Sequence, residues 1–191
     1  MIILAAGSST RMGKIKQLML YKNKTLLQYI ICEAKNANLD PVICVTGFES
    51  DLITGSISGT AVSIVYNGRW PEGMGSGISI GINQLLLSDV DSVILAVSDQ
   101  PHVSSDLFLT MIEEKNQSGK GIVASKYADT LGTPVLFDKM YFQKLQALKG
   151  EQGAKKLIQS EMSDVAIVSF EKGNIDIDTI QDYQNLIAET P

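Results

Sequence analysis

Short apolar runs alternate with helical patterns along almost the whole chain. The runs, typical of buried strands, span residues 2–6, 41–46, 62–66, 93–97, 121–125, 133–137 and 165–170. Apolar residues recur at helical spacing in 26–37, 49–59, 78–86, 138–148 and 153–161, and further helices are predicted to begin near 104 and 179. This alternation predicts βαβ units in an α/β fold, with a mostly parallel sheet covered by helices on both faces. No repeat or linker divides the chain, so we expect one domain over residues 1–191.

Composition narrows the class of protein. The 191 residues are 45% hydrophobic and carry a net charge of −5 without a basic face, which argues against nucleic acid as a partner. No apolar run reaches the roughly 18 residues of a membrane helix, and no signal peptide is evident. Cys32 and Cys44 lie in apolar surroundings without metal-ligand spacing, as buried thiols do in a reducing compartment. We therefore expect a cytoplasmic protein without a membrane segment.

The first loop is the strongest candidate for a ligand site. It follows the run 2–6, and its small residues would let backbone N–H groups approach an anion closely. Arg11, Lys14 and Lys16 add positive charge. The loop is neither a Walker A loop nor a dinucleotide fingerprint, because Gly7 and Gly13 lie six residues apart. Its spacing alone leaves two interpretations open, a phosphate-binding loop or a solvated basic turn.

Three aspartates could bind a cation near the same sheet edge. Asp99 follows the run 93–97, where a carboxylate can hold Mg²⁺, although an Asp before Gln-Pro is also a common turn former. Asp176 and Asp178 would point to one face of an extended segment, as metal ligands or as acids near a helix N-terminus. His102 is the only histidine, so catalysis by several histidines is excluded. Trp70 is compatible with base stacking or with a role in the core or a lid.

The motifs resemble those of nucleotidyltransferases with the MobA-like fold. The signature is Leu4-Ala5-Ala6-Gly7-x-Ser9-x-Arg11-Met12-Gly13-x-x-Lys16. Segments further along resemble the molybdenum cofactor cytidylyltransferase branch: Trp70-Pro71-Glu72-Gly73-Met74-Gly75-Ser76, Asp99-Gln100-Pro101, Gly132-Thr133-Pro134-Val135-Leu136-Phe137, Gly150-Glu151-Gln152-Gly153-Ala154 and Asp176-Ile177-Asp178-Thr179.

This resemblance implies a three-layer α/β/α sandwich and a nucleotidyl-transfer reaction. CMP would pass from CTP to the phosphate of the molybdopterin-bound molybdenum cofactor, with release of pyrophosphate and Mg²⁺ as the cofactor. The product would serve molybdenum hydroxylases, to which the protein would dock transiently, and we expect a monomer. Related guanylyltransferases usually carry Ala-Gly-Gly where this chain has Ala5-Ala6-Gly7, so the methyl group of Ala6 should favour a pyrimidine base.

The resemblance also assigns residues. It implies Arg11, Lys16 and Asp99 as catalytic residues and Asp99 as the principal metal ligand. The motif permits Asp176 or Asp178 as the second metal ligand, and we favour Asp176. The nucleotide would be bound by Leu4, Ala5, Ala6, Gly7, Ser8, Ser9, Arg11, Lys16 and Asp99. The acceptor side would include Gly75, Ser76, Thr133 and Asp178. The acceptor's own phosphate would be the nucleophile, so no general base is required.

Two residues depart from the pattern of the branch. Ser98 replaces the usual Gly before Asp99, and Thr133 replaces the usual His between Gly132 and Pro134. The second departure keeps open a same-fold enzyme that uses a sugar or polyol phosphate as acceptor. A third hypothesis is a non-catalytic carrier of the cofactor, against which Arg11, Lys16 and Asp99 argue, because a carrier needs no metal-triphosphate site.

Overall fold

A seven-stranded sheet forms the centre of the molecule in a computed structural model that describes residues 1–151 and 153–189. The strands are β1 (Ile2–Ala5), β2 (Leu20–Tyr21), β3 (Lys24–Thr25), β4 (Ile43–Thr46), β5 (Ser63–Tyr66), β6 (Ser92–Val97), β7 (Ile122–Tyr127), β8 (Thr130–Asp138) and β9 (Val165–Ser169). The sheet order is β5-β4-β1-β6-β8-β7-β9, and only β8 runs antiparallel to its neighbours. The short strands β2 and β3 pair separately.

The described residues form seven α-helices, six between strands and one after the last strand. They are α1 (Leu26–Asn36), α2 (Ser50–Ser56), α3 (Met74–Leu85), α4 (Ser105–Ser118), α5 (Phe142–Gln146), α6 (Ala154–Ser160) and α7 (Ile180–Ala188). Capping boxes begin α1 at Thr25 and α7 at Thr179, which confirms the predicted starts of both helices. The helix predicted over 138–148 is divided into a 3₁₀ turn, Lys139–Tyr141, and the short α5.

The core lies in two layers on opposite faces of the sheet. Neighbouring residues of β1 point to opposite faces, so Ile3 packs with α1, α2 and α4, whereas Ile2 packs with α3, α5 and α6. Helices therefore cover both faces, and the predicted three-layer α/β/α fold is confirmed. None of the helices in the described ranges is long and apolar enough to cross a membrane.

The strand order places a crevice beside β1. The chain runs outward from β1 to β4 and β5, and then returns to the other side of β1 to form β6. Ligands of open α/β sheets bind beyond the carboxyl ends of the strands at such a reversal. The loops after β1 and β6, which carry the first motif and Asp99, meet at this point.

Candidate functional site

The loop after β1 has its carbonyl groups tied to the protein. Gln17 is buried, and its Nε2 donates to the carbonyl oxygens of Ala5 and Gly7 at 3.1 Å each. The backbone N–H of Ser98 donates to Leu4 at 3.3 Å, and that of Phe48 donates to Ala6 at 3.2 Å. Four successive carbonyls thus face protein donors, which keeps their negative ends away from a bound anion.

Hydrogen bonds of Ser9 stabilise the loop after β1. Ser9 has a φ of 49°, and its carbonyl accepts from the N–H of Met12 at 3.0 Å. Its hydroxyl accepts from the backbone N–H of Lys16 at 3.4 Å. This bond ties the tip of the loop to the turn that carries Lys16, whereas Lys14 is exposed.

Lys16 joins two of the three aspartates. Its ammonium group donates to Asp99 Oδ2 and, at 3.0 Å, to Asp178 Oδ1. Arg11, largely exposed, lies 3.3 Å from Asp178 Oδ2. Burial lowers the pKa of Lys16, but attraction by Asp99 and Asp178 outweighs burial and leaves the pKa above its usual value. The structure thus brings both predicted cations and two carboxylates to one point of the sheet edge.

Asp176 completes the acidic cluster. The residue is exposed, yet neighbouring protein atoms displace part of the water around its carboxylate. This desolvation raises the pKa of Asp176 to about 6, and the charges of Asp99 and Asp178 add to the shift. A bound cation would offset this repulsion and favour the ionised form of Asp176.

The donor set fits a divalent metal that is bound in part by phosphate. Asp99 Oδ1 is buried without a hydrogen-bond partner among the described residues. Within the same residues, no group of three or more His, Cys, Asp or Glu side chains has a metal-binding arrangement. Mg²⁺ in nucleotide sites commonly uses one or two carboxylates together with substrate phosphates.

A cavity of 390 Å³ opens beside this cluster. Its described lining residues are Leu4, Ala6, Gly7, Ser8, Lys16, Gln17, Asn67, Trp70, Pro71, Gly73, Met74, Gly77, Val97, Ser98, Asp99 and Glu151. Trp70 packs edge-to-face on Phe48, with ring centroids 5.6 Å apart. A hypothetical Cβ at Gly47 would lie 2.8 Å from the methyl carbon of Ala6 and 2.6 Å from Trp70 Cβ. Ala6 and Trp70 therefore meet at one wall of the cavity, over a glycine that leaves them room.

A second cavity, of 330 Å³, contains Thr133. Its described lining residues are Met74, Tyr127, Thr130, Leu131, Gly132, Thr133, Gly153, Ala154, Lys155 and Ile158. Met74 lines both cavities, so the two are adjacent. Tyr127 stands at the edge of the second cavity nearest the acidic cluster. Burial raises the pKa of its phenol, Asp176 and Asp99 raise it further, and contacts with Thr133 and Gln100 act in the opposite direction.

Two residues expected on the acceptor side, Gly75 and Ser76, lie in the first turn of α3. They follow the glycine-rich loop, residues 67–73. Ser76 is buried, and its hydroxyl bonds to Asn67 Nδ2 and to the carbonyls of Arg69 and Gly73. The N–H of Gly75 donates to the carbonyl of Gly150 at 2.9 Å. Both residues hold the loop in shape and are absent from the described lining of either cavity.

His102 faces elsewhere. It lines a separate cavity together with Ser104, Glu171 and Lys172. Burial lowers the pKa of His102, and the charge of Lys172 adds to this effect. The cavity of 390 Å³ beside the acidic cluster therefore has no histidine among its described lining residues.

Sequence reasoning missed Gln17 and Tyr127. Gln17 follows Lys16 directly, but no local pattern shows that its amide reaches back to the carbonyls of Ala5 and Gly7. Tyr127 ends a strand and reads as an ordinary aromatic β residue. Its relation to Asp176 depends on the pairing of β7 with β9, which brings the segment after β9 to the end of β7.

The fold and the candidate site define an α/β protein in which a loop of small residues meets an acidic cluster at the carboxyl edge of the sheet. The chain belongs to the MobA-like NTP transferase domain family, which matches it over residues 1–165. Members of this family are nucleotidyltransferases.

Known proteins match the chain over nearly its full length. The purine catabolism protein PucB of Bacillus subtilis is 25% identical over 193 aligned positions, covering 95% of this chain and 92% of PucB. The crystal structure of Rv0371c from Mycobacterium tuberculosis is 27% identical, with a TM-score of 0.81, covering 99% of this chain and 97% of Rv0371c. A complex of Rv0371c with manganese is 26% identical, with a TM-score of 0.77 and the same shares covered.

Proposed function

We propose that the protein transfers CMP from CTP to the phosphate of the molybdopterin-bound molybdenum cofactor, forming the cytosine dinucleotide and pyrophosphate. The position of Ala6 carries the choice of nucleotide. Its methyl group lies on the wall of the larger cavity against Trp70 and Gly47, where a second glycine would leave more room. A narrower cavity favours a pyrimidine base, which has one ring, over a purine base, which has two.

The residues of the loop and the acidic cluster supply binding and electrostatic stabilisation. Backbone N–H groups of residues 5–9 bind the triphosphate. Lys16 releases its carboxylate partners and, with Arg11, neutralises charge on the α-phosphate and the departing pyrophosphate. Asp99 and Asp176 hold a divalent cation, which offsets phosphate charge when bound. The manganese complex of Rv0371c supports the use of a divalent metal.

The reaction needs no residue that accepts a proton. The phosphate of the acceptor is already ionised at neutral pH and attacks the α-phosphorus of CTP. The bond between the α-phosphorus and its bridging oxygen breaks, and pyrophosphate leaves with that electron pair. The protein contributes alignment and charge, in agreement with a site whose described lining residues include no histidine or cysteine.

Fewer observations support the identity of the acceptor than the identity of the nucleotide. PucB is named a purine catabolism protein, and oxidation of purines is a reaction of xanthine dehydrogenase-type molybdenum hydroxylases, which use such a cofactor. The protein would then work in the cytoplasm and dock on the hydroxylase. Thr133, which supplies a hydroxyl to the second cavity in place of the usual imidazole, favours a second candidate, a sugar or polyol phosphate as acceptor.

Product analysis tests the proposal. The protein is incubated with Mg²⁺, CTP and purified molybdenum cofactor, and the dinucleotide and pyrophosphate are measured together. We expect one pyrophosphate for each dinucleotide, and no product from Asp99→Ala with an unchanged circular dichroism spectrum. Formation of a nucleotide conjugate only with sugar or polyol phosphates would replace the acceptor, and the absence of pyrophosphate with every acceptor would overturn the proposed activity.

A further inference from the structure

Tyr127 is held in a slot between two glycines. A Cβ at Gly132 would collide with the Tyr127 phenol oxygen, and a Cβ at Gly173 would collide with its ring. Phe170 packs edge-to-face on the ring, with centroids 6.3 Å apart and planes at 88°. Because both neighbouring positions leave room only for hydrogen, the ring has a fixed place at the end of β7.

The fixed side chain of Tyr127 lines the second cavity, and its phenol has hydrogen-bonding contacts with Thr133 and Gln100. Three hydroxyl-bearing residues, Tyr127, Thr130 and Thr133, line that cavity together with Lys155, and no carboxylate occurs among its described lining residues. Hydroxyl and ammonium donors suit an anion with several acceptor oxygens. The shared wall at Met74 places such an anion next to the nucleotide cavity.

We propose that Tyr127 binds the acceptor, donating a hydrogen bond from its phenol to an oxygen of the acceptor's phosphate group. This inference rests on the proposed function, in which that phosphate is the attacking group. Tyr127 thereby helps the enzyme select acceptors that carry a phosphate. Among the described hydroxyl-bearing residues that line the cavity, Tyr127 has the longest side chain. The side chain of Thr133 is shorter than the imidazole that is usual at its position.

Asp176 offers a competing explanation for the same hydroxyl. The charge of Asp176 acts on the phenol, so a bond from Tyr127 could instead orient that carboxylate for the metal. The two roles differ in what the hydroxyl group controls. A phosphate donor changes affinity for the acceptor, whereas a residue that orients Asp176 changes affinity for the cation.

The test compares Tyr127→Phe with Tyr141→Phe. The first variant keeps the ring that fills the glycine slot and removes only the hydroxyl group. The second removes the hydroxyl of Tyr141, which bonds to Asp164 at 2.7 Å near the opposite edge of the sheet. Each protein is saturated with Mg²⁺ and a CTP analogue that cannot release pyrophosphate, and inorganic phosphate is titrated as the probe, followed by phosphorus NMR. The Mn²⁺ affinity and the KM values for CTP and molybdenum cofactor are measured in parallel.

We expect Tyr127→Phe to weaken phosphate binding and raise the KM for the acceptor by about tenfold or more, the usual loss for a hydrogen bond to a charged group. Its KM for CTP and its Mn²⁺ affinity should match the wild type, and Tyr141→Phe should be unchanged in all four measurements. Equal phosphate affinity in Tyr127→Phe and wild type, or no phosphate binding by the CTP-analogue complex of the wild type, would overturn the inference. So would weakened Mn²⁺ binding with phosphate binding intact, since that result assigns the hydroxyl to Asp176. Lack of turnover with CTP and molybdenum cofactor would reject the proposed function alone, because the phosphate titration needs no turnover.

Discussion

At the scale of single residues, the site is a set of charges that neutralise one another until a substrate arrives. Lys16 occupies the space between Asp99 and Asp178, and Arg11 reaches the second carboxylate oxygen of Asp178 from solvent. An ammonium group in this place stands where a divalent cation and phosphates would otherwise share the carboxylates. In the proposed reaction, Lys16 would exchange these carboxylate partners for phosphate oxygens when the substrate binds.

Replacing Lys16 separates its two roles. In Lys16→Met, Asp99 and Asp178 lose their shared counter-ion, so the affinity for Mn²⁺ without nucleotide should rise several-fold. Turnover should fall by about 10²- to 10³-fold, because charge on the phosphates is no longer neutralised. Metal titration and a pyrophosphate assay measure the two effects, and the exposed Lys14→Met should show neither. Near wild-type turnover in Lys16→Met would contradict the assigned role.

The acidic cluster predicts a dependence of stability on pH. The folded state raises the pKa of Asp176 from 3.8 to about 6, so it favours the protonated acid. The ionised form therefore costs stability, and this cost develops as the pH rises from about 4 through 6. In EDTA, Asp176→Asn should raise the urea midpoint near pH 8 and have less effect near pH 4.5.

The exposed Asp129→Asn serves as the control for this series. It should leave the difference between the two pH values as in the wild type. A lower urea midpoint for Asp176→Asn near pH 8 would show that the carboxylate stabilises the fold instead of being strained in the cluster.

At the scale of elements, the ends of β1, β4 and β6 and the glycine-rich loop determine the shape of the nucleotide cavity. Gly47 lies immediately after β4, against Ala6 and Trp70. Gly73, with a φ of 105°, lies so close to the backbone of Gly150 and Glu151 that a side chain there would collide with it. These close approaches fix the distance between the two walls of the cavity.

Gly47→Ala should narrow the nucleotide cavity without unfolding the protein. The added methyl group would push Trp70 and Ala6 inward, and overpacking of this kind costs about 1–3 kcal/mol. We expect the KM for CTP to rise about tenfold, with little change in the circular dichroism spectrum. The matched control is Gly55→Ala in α2, where a Cβ meets nothing within 4 Å and alanine should be neutral or stabilising. An unchanged KM in Gly47→Ala would remove this wall from the nucleotide site.

Local patterns predicted the elements and the chemistry that lies at their ends. Lys16 and Asp99 could be found because each belongs to a contiguous motif beside a predicted strand. The partnership of Lys16 with Asp178 spans 162 residues, and the position of Tyr127 between Gly132 and Gly173 depends on two neighbouring strands. No local periodicity contains such contacts. The burial of Ser76 was missed for the same reason. Its hydroxyl bonds to the carbonyls of Arg69 and Gly73 and to the amide of Asn67, which the fold of the preceding loop brings close.

At the scale of the whole molecule, the strand order accounts for the presence of two adjacent cavities at one edge. The reversal beside β1 opens the nucleotide cavity between the loops after β1 and β6. The antiparallel strand β8 turns back from β7 and carries Thr133 to the neighbouring cavity. One sheet edge thus carries two adjacent cavities. In the proposed function, one cavity would hold the triphosphate and the other the acceptor.

The central claim is that this edge joins cytidylate to the molybdenum cofactor. The most direct measurement is the rate of pyrophosphate release with purified molybdenum cofactor and Mg²⁺, compared between CTP and GTP under the same conditions. We predict release with CTP at least about tenfold faster than with GTP, because the fit of a substrate to its pocket discriminates by roughly 1–3 kcal/mol. Equal or faster release with GTP, or no release with either nucleotide, would contradict the central claim.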